Sequence, residues 1–123
     1  NTDIMRLMEK AGMTRLDKII ADSAEMKSIA EFRSKGWNVQ PSEKGQDSVN
    51  IGIDLLKRYA LNITERSLGM KKESENYVYQ EDRAGTISNK PVDDFNHGWD
   101  AVRYVALNCL NKKKMTAPKL TII

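Results

Sequence analysis

Helix-period segments and short apolar runs alternate through the first half of the chain, an order that few folds other than layered α/β sheets accommodate. Ile4, Leu7, Met8 and Ala11 have the spacing of one helix face, and Gly12 follows where a helix end tolerates positive φ. Lys18 to Asp22 is a brief apolar run ending in an acid, the pattern of a buried strand. A second helix is expected from Glu25 to Lys35, with Ile29 and Phe32 inward and Gly36 closing it. Trp37 to Pro41 alternates apolar and polar residues before a proline, which suits a strand leaving a sheet. Gly45 to Ser48 can open a third helix with Val49, Ile53, Leu56 and Ala60 on one face, and Leu61 to Thr64 can form another strand. Repeated helix–strand steps of this kind imply crossover connections.

The second half is less regular. Glu65 to Asn76 is polar and weakly helical, Tyr77 to Gln80 reads as a strand, and Asp82 to Gly85 as a turn returning through Thr86 to Ser88. The best-defined helix runs from Asp93 to Leu110, with Phe95, Trp99, Val102, Ala106 and Leu110 on the side that packs on the sheet. Residues 111–123 read as a basic, irregular tail beginning with Asn111 and the run Lys112-Lys113-Lys114. At 123 residues there is enough chain for one core, so residues 1–110 are expected to form a single domain.

Twenty Lys and Arg against 17 Asp and Glu give a net charge of +3, a mild lean toward polyanions that does not by itself mark a DNA-binding protein. The lysine runs read first as solvated surface charge. A single cysteine, Cys109, excludes a disulfide framework and a cysteine zinc site, and fits a reducing interior. It falls in the apolar stretch from Ala101 to Leu110, so a buried, inert thiol is expected. No apolar run approaches the roughly 18 residues of a membrane span.

The chemistry-bearing residues gather on the other side of the last helix. Asp93, His97, Asp100 and Tyr104 follow one another at spacings of 4, 3 and 4, so their side chains stack along one face. One reading is a hydrated face whose first-turn acids complement the helix dipole, with Asp93 or Asp94 as N-cap. The other is a divalent-cation site, in which Asp100 offers hard oxygen and His97 moves protons near neutral pH. Such a site needs a carboxylate from elsewhere. Asp22 is the candidate, at the end of a strand where open α/β sheets place their ligands; it can equally cap the following helix together with Glu25.

Two segments carry a family resemblance. Ile20-Ala21-Asp22-Ser23-Ala24-Glu25-Met26-Lys27-Ser28-Ile29, followed by Gly36-Trp37-Asn38-Val39, resembles a strand-to-helix turn and the next strand of bacteriophage terminase large subunits. Pro91-Val92-Asp93-Asp94-Phe95-Asn96-His97-Gly98-Trp99-Asp100-Ala101-Val102-Arg103-Tyr104 is similar to the closing motif of the same family's nuclease, and is the more specific match. Together they place most of residues 16–110 in family order. The resemblance implies a ribonuclease H-like α/β fold, a mixed sheet flanked by helices, here truncated at its N-terminus. It also implies a two-metal site for Mg²⁺ or Mn²⁺, with Asp22 and Asp100 as ligands and His97 beside them. Met26 departs from the family, which would place a proline in the first turn of that helix.

The activity implied is metal-dependent endonucleolytic cleavage of double-stranded DNA during viral genome packaging, in the cytoplasm of a bacterial host. The implied partners are the terminase small subunit and the portal protein. In this family another metal-binding Asp lies on a strand upstream of the first helix, and the residues before Asp3 offer no carboxylate. The chain therefore reads as a fragment, expected to bind metal poorly, to be inactive in isolation, and to dimerise through the sheet edge left near Ile19 and Ile20. Two other functions stay open: a resolvase- or transposase-type ribonuclease H-like nuclease, and a non-catalytic DNA-binding or assembly module.

Overall fold

The expected alternation is present in a computed structural model, which describes residues 1–110 and 120–122. The chain divides into two compact units, Asn1–Lys44 and Gly45–Ile123.

In the first unit, helix α1 (Thr2–Lys10), strand β1 (Ile19–Ala21), helix α2 (Met26–Ser34) and strand β2 (Val39–Pro41) follow in order, with β1 and β2 parallel and Ile19 opposite Val39. The core consists of Met5, Ile29, Trp37 and Val39, with Met8, Met13, Ile19, Ala21 and Phe32 packed against it. Ile29 and Phe32 thus face inward as their spacing requires. The inward face of α1 differs from the expected one: Met5 is buried, while Ile4 and Leu7 are 51% and 64% exposed. Apolar residues at positions 4, 5, 7 and 8 cover a wide arc of that helix, and packing selects the arc centred on Met5 and Met8. Gly36 closes α2 at φ +82°, and the Arg15 guanidinium lies 3.8 Å from the centre of the Trp37 ring.

The second unit carries helix α3 (Ser48–Leu56), strand β3 (Leu61–Ile63), helix α4 (Leu68–Asn76), strands β4 (Tyr79–Glu81) and β5 (Ile87–Pro91), helix α5 (His97–Val105) and strand β6 (Leu120–Ile122). Strand β3 pairs in parallel with β6, and β4 in antiparallel with β5, so pairing is mixed and, among the described residues, divided into three two-stranded ladders. The hairpin turn is tied by Asp82, whose Oδ1 accepts the N–H groups of Ala84 at 2.9 Å and Thr86 at 2.8 Å. Leu55, Leu56 and Ala106 form the core, joined by Tyr59, Leu61, Trp99, Val102 and Leu110. Four of the five stripe residues expected in the last helix are therefore in place.

Two expectations for the C-terminal region need correction. The last helix starts at His97, and its continuation Ala106–Leu110 is π-helical, with buried Asn108 donating its side-chain N–H to the Tyr104 carbonyl at 2.7 Å. Cys109 lies in this segment, half-buried and free. The expected irregular tail is a strand at Leu120–Ile122, because β3 offers a parallel edge with which its backbone can pair; the Lys112-Lys113-Lys114 run lies outside the described residues. No helix among the described residues is long and apolar enough to cross a membrane.

Candidate metal centre

Asp22 is the first residue beyond β1, at the carboxyl end of a parallel strand pair. The chain turns sharply there. The Ser42 N–H donates to the Ala21 carbonyl at 2.7 Å, and the Ser23 N–H to the Ser42 hydroxyl at 3.2 Å, which anchors the loop leaving β1 to the loop leaving β2. Asp22 Oδ1 accepts the Ala24 N–H at 2.9 Å and the Lys44 ammonium at 2.5 Å. The N-cap position of α2 is Glu25, which makes no side-chain capping bond. Asp22 therefore shapes the turn before α2. Its ion pair with Lys44 is half-exposed, and pairs of that kind contribute only about 0–1 kcal/mol.

In the second unit, His97 is the first residue of α5 and Asp100 sits one turn on. His97 is exposed and Asp100 half-buried. Asp93 precedes the helix, so the expected four-residue face begins at His97. Neither Asp93 nor Asp94 caps α5: Asp94 Oδ1 accepts the Phe95 N–H at 2.8 Å, and Asp93 Oδ1 the Asn96 side-chain amide at 3.4 Å. Both acids instead support the bend at Phe95, which holds φ at +54°, a strained value for a bulky residue.

The cap comes from α4. Glu73 Oε2 accepts the N–H groups of Gly98 at 2.9 Å and Trp99 at 3.2 Å, satisfying two of the donors that every helix start leaves unpaired. A Cβ at Gly98 would meet the Met70 sulfur and lie 3.1 Å from Glu73 Oε2, so a larger residue there would have to displace the flexible end of the Met70 side chain. Nothing in the spacing of Glu73 along its polar helix signalled this role.

Arg103, one turn after Asp100, is only 5% exposed and donates through Nη2 to Asp100 Oδ1. The aliphatic stem of Arg103 rests on Gly52 of α3. Trp99, Tyr77, Tyr79, Leu56 and Arg103 line a cavity of about 430 Å³ in this unit. Burial pushes the Tyr77 phenol above its ordinary range, Asp100 adding to the shift and Arg103 opposing it. The i, i+3 spacing of Asp100 and Arg103 was legible in the sequence, but the burial of the arginine was not.

Among the described residues, Asp100 accepts a hydrogen bond only at Oδ1, and His97 offers an imidazole on the same turn. Within either unit, no three His, Cys, Asp or Glu side chains among the described residues gather into a cation site. In kind, carboxylate oxygen with imidazole suits Mg²⁺ or, with the nitrogen donor, Mn²⁺.

The family model described as terminase RNase H-like domain matches residues 7–107. The Mn-bound nuclease domain of the large terminase g2p from bacteriophage SPP1 is similar with a TM-score of 0.69 and 30% identity, over 85% of this chain and 59% of that one. The large terminase of a thermophilic bacteriophage is similar with a TM-score of 0.62 and 26% identity, over 89% of this chain and 28% of that one. No curated protein sequence matches. The chain thus spans a little over half of the SPP1 domain and about a quarter of the thermophilic phage protein. With a family model covering most of its length and an α/β architecture to match, the chain belongs to the terminase ribonuclease H-like domain family.

Proposed function

We propose that this chain forms the C-terminal part of the nuclease of a phage or prophage large terminase, which cleaves double-stranded DNA during genome packaging. The observation that carries the reading is the His97–Asp100 turn at the start of α5, inside the matched region. Residues 1–110 would be the nuclease part, acting in the cytoplasm of the bacterial host alongside the small subunit and the portal protein.

In this reading Asp22 and Asp100 hold Mg²⁺ or Mn²⁺, and His97 assists them. The chemistry a bound divalent ion supplies is acidification of the attacking water and neutralisation of charge at the phosphate. Asp100 brings a carboxylate fixed on a helix, and its remaining oxygen faces no competing protein donor among the described residues. Asp22 brings a second carboxylate whose weak, half-exposed pairing with Lys44 costs little to rearrange. His97, exposed at the helix start, orients the attacking water or takes its proton, since imidazoles exchange protons near neutral pH.

Cleavage of supercoiled plasmid by the complete large subunit carrying this chain tests the reading. Cutting should require Mn²⁺ or Mg²⁺ and vanish in Asp22→Ala and Asp100→Ala variants. DNA binding that persists in chelator and is indifferent to both substitutions, with no cutting by the parent protein, would instead identify a non-catalytic module.

A further inference from the structure

We propose that Arg103 is a positioning residue for Asp100, holding one carboxylate oxygen so that the other is presented in a fixed direction to a divalent cation. The inference rests on the metal-site reading above and deepens it.

Arg103 is 5% exposed, an unusual place for a cation, and its Nη2 donates to Asp100 Oδ1 one helical turn away. Removing a guanidinium from water is costly and needs a close, well-formed partner in return. Asp100 is that partner. The Nε of Arg103 is also buried and has no hydrogen-bond acceptor among the described residues, so the contact from Nη2 to Asp100 is the described anchor of the guanidinium.

The fold makes room for this contact from a second helix. Gly52 is buried inside α3, where glycine weakens a helix. A Cβ built there would lie 3.2 Å from both Cγ and Cδ of Arg103 and 3.3 Å from its Cβ, closer than the stem can accept without moving. The glycine in α3 and the arginine in α5 therefore form one device, whose output is the orientation of the Asp100 carboxylate. An aspartate at a helix surface otherwise samples several rotamers, and a ligand free to do so loses part of its affinity in being ordered. Groups that orient metal ligands in this way typically change affinity about ten- to a hundredfold.

The test follows Mn²⁺-induced broadening of the amide signals of α5 in the complete nuclease domain, with thermal unfolding in chelator measured in parallel. Arg103→Met should raise the Mn²⁺ concentration for half-maximal broadening about ten- to a hundredfold, and Arg103→Lys should recover part of the loss. Gly52→Ala, which displaces the stem but keeps the charge, should shift the curve in the same direction; it decides the matter if Arg103→Met does not fold. Asp100→Asn is the control. If Asp100→Asn weakens broadening while folded Arg103 and Gly52 variants titrate like the parent chain and differ only in unfolding midpoint, the positioning role is wrong and the metal site stands. If Asp100→Asn itself leaves broadening unchanged, the metal site and this proposal fall together.

Discussion

Glu73 caps the helix that carries His97 and Asp100: its Oε2 accepts the Gly98 N–H at 2.9 Å, across 25 residues of sequence. A carboxylate at this position both satisfies orphan donors and complements the positive end of the helix dipole. Glu73→Ala should lower stability by about 0.5–2 kcal/mol, the range of helix-cap losses, with Glu73→Gln losing less because an acceptor remains. Urea unfolding of the three proteins checks this. Equal midpoints for all three would mean that the contact contributes nothing.

Gly98→Ala should also lower stability, because the added methyl must displace the Met70 sulfur and approaches the capping carboxylate. The expected loss is about 1–3 kcal/mol, the range for overpacking a filled site. Met70→Ala in the same chain should recover part of it, which a double-mutant cycle would read.

The legibility of this region in the sequence was uneven for a physical reason. Trp99, Val102, Ala106 and Leu110 announce their stripe because periodicity is a local property, and all four pack where it places them. The Asp22 position at a strand end was equally local. The cap from Glu73, the seat of Arg103 on Gly52 and the pairing of Leu120–Ile122 with β3 each join distant segments, and no spacing rule reports such contacts. Helix α1 failed differently. Its apolar residues cover too broad an arc for periodicity to choose between Ile4 with Leu7 and Met5 with Met8, and only tertiary packing decides.

Alkaline pH should destabilise the fold through Tyr77. Burial raises its pKa in the folded state above the ordinary value near 10, so the folded protein keeps a proton that the unfolded chain releases. Stability from this group is intact below the unfolded pKa and is lost as pH rises through the folded one. Unfolding midpoints measured upward from pH about 9 should fall more steeply for the parent chain than for Tyr77→Phe, which cannot ionise. Parallel slopes would show that the phenol is indifferent to folding.

The first unit depends on Ile29, only 1% exposed in a core with Met5, Trp37 and Val39. Ile29→Ala should cost about 2–5 kcal/mol by lost burial and the cavity left behind. Equilibrium unfolding measures it, and a loss under about 1 kcal/mol would contradict the packing described.

Strand β1 is paired on one side only among the described residues, with β2. An open edge of this kind recruits another strand. Sedimentation of the 123-residue chain should therefore show self-association that grows with concentration. A clean monomer at high concentration would contradict this expectation.

The proposed function names Asp22 and Asp100 as ligands of a divalent metal. It is tested most directly by a crystal structure of the complete nuclease grown with Mn²⁺, in which anomalous scattering locates the ions. Mn²⁺ should be ligated by carboxylate oxygens of both Asp22 and Asp100, with His97 in or beside the coordination sphere. Mn²⁺ bound elsewhere, or the two carboxylates too far apart to share a metal centre, would contradict it.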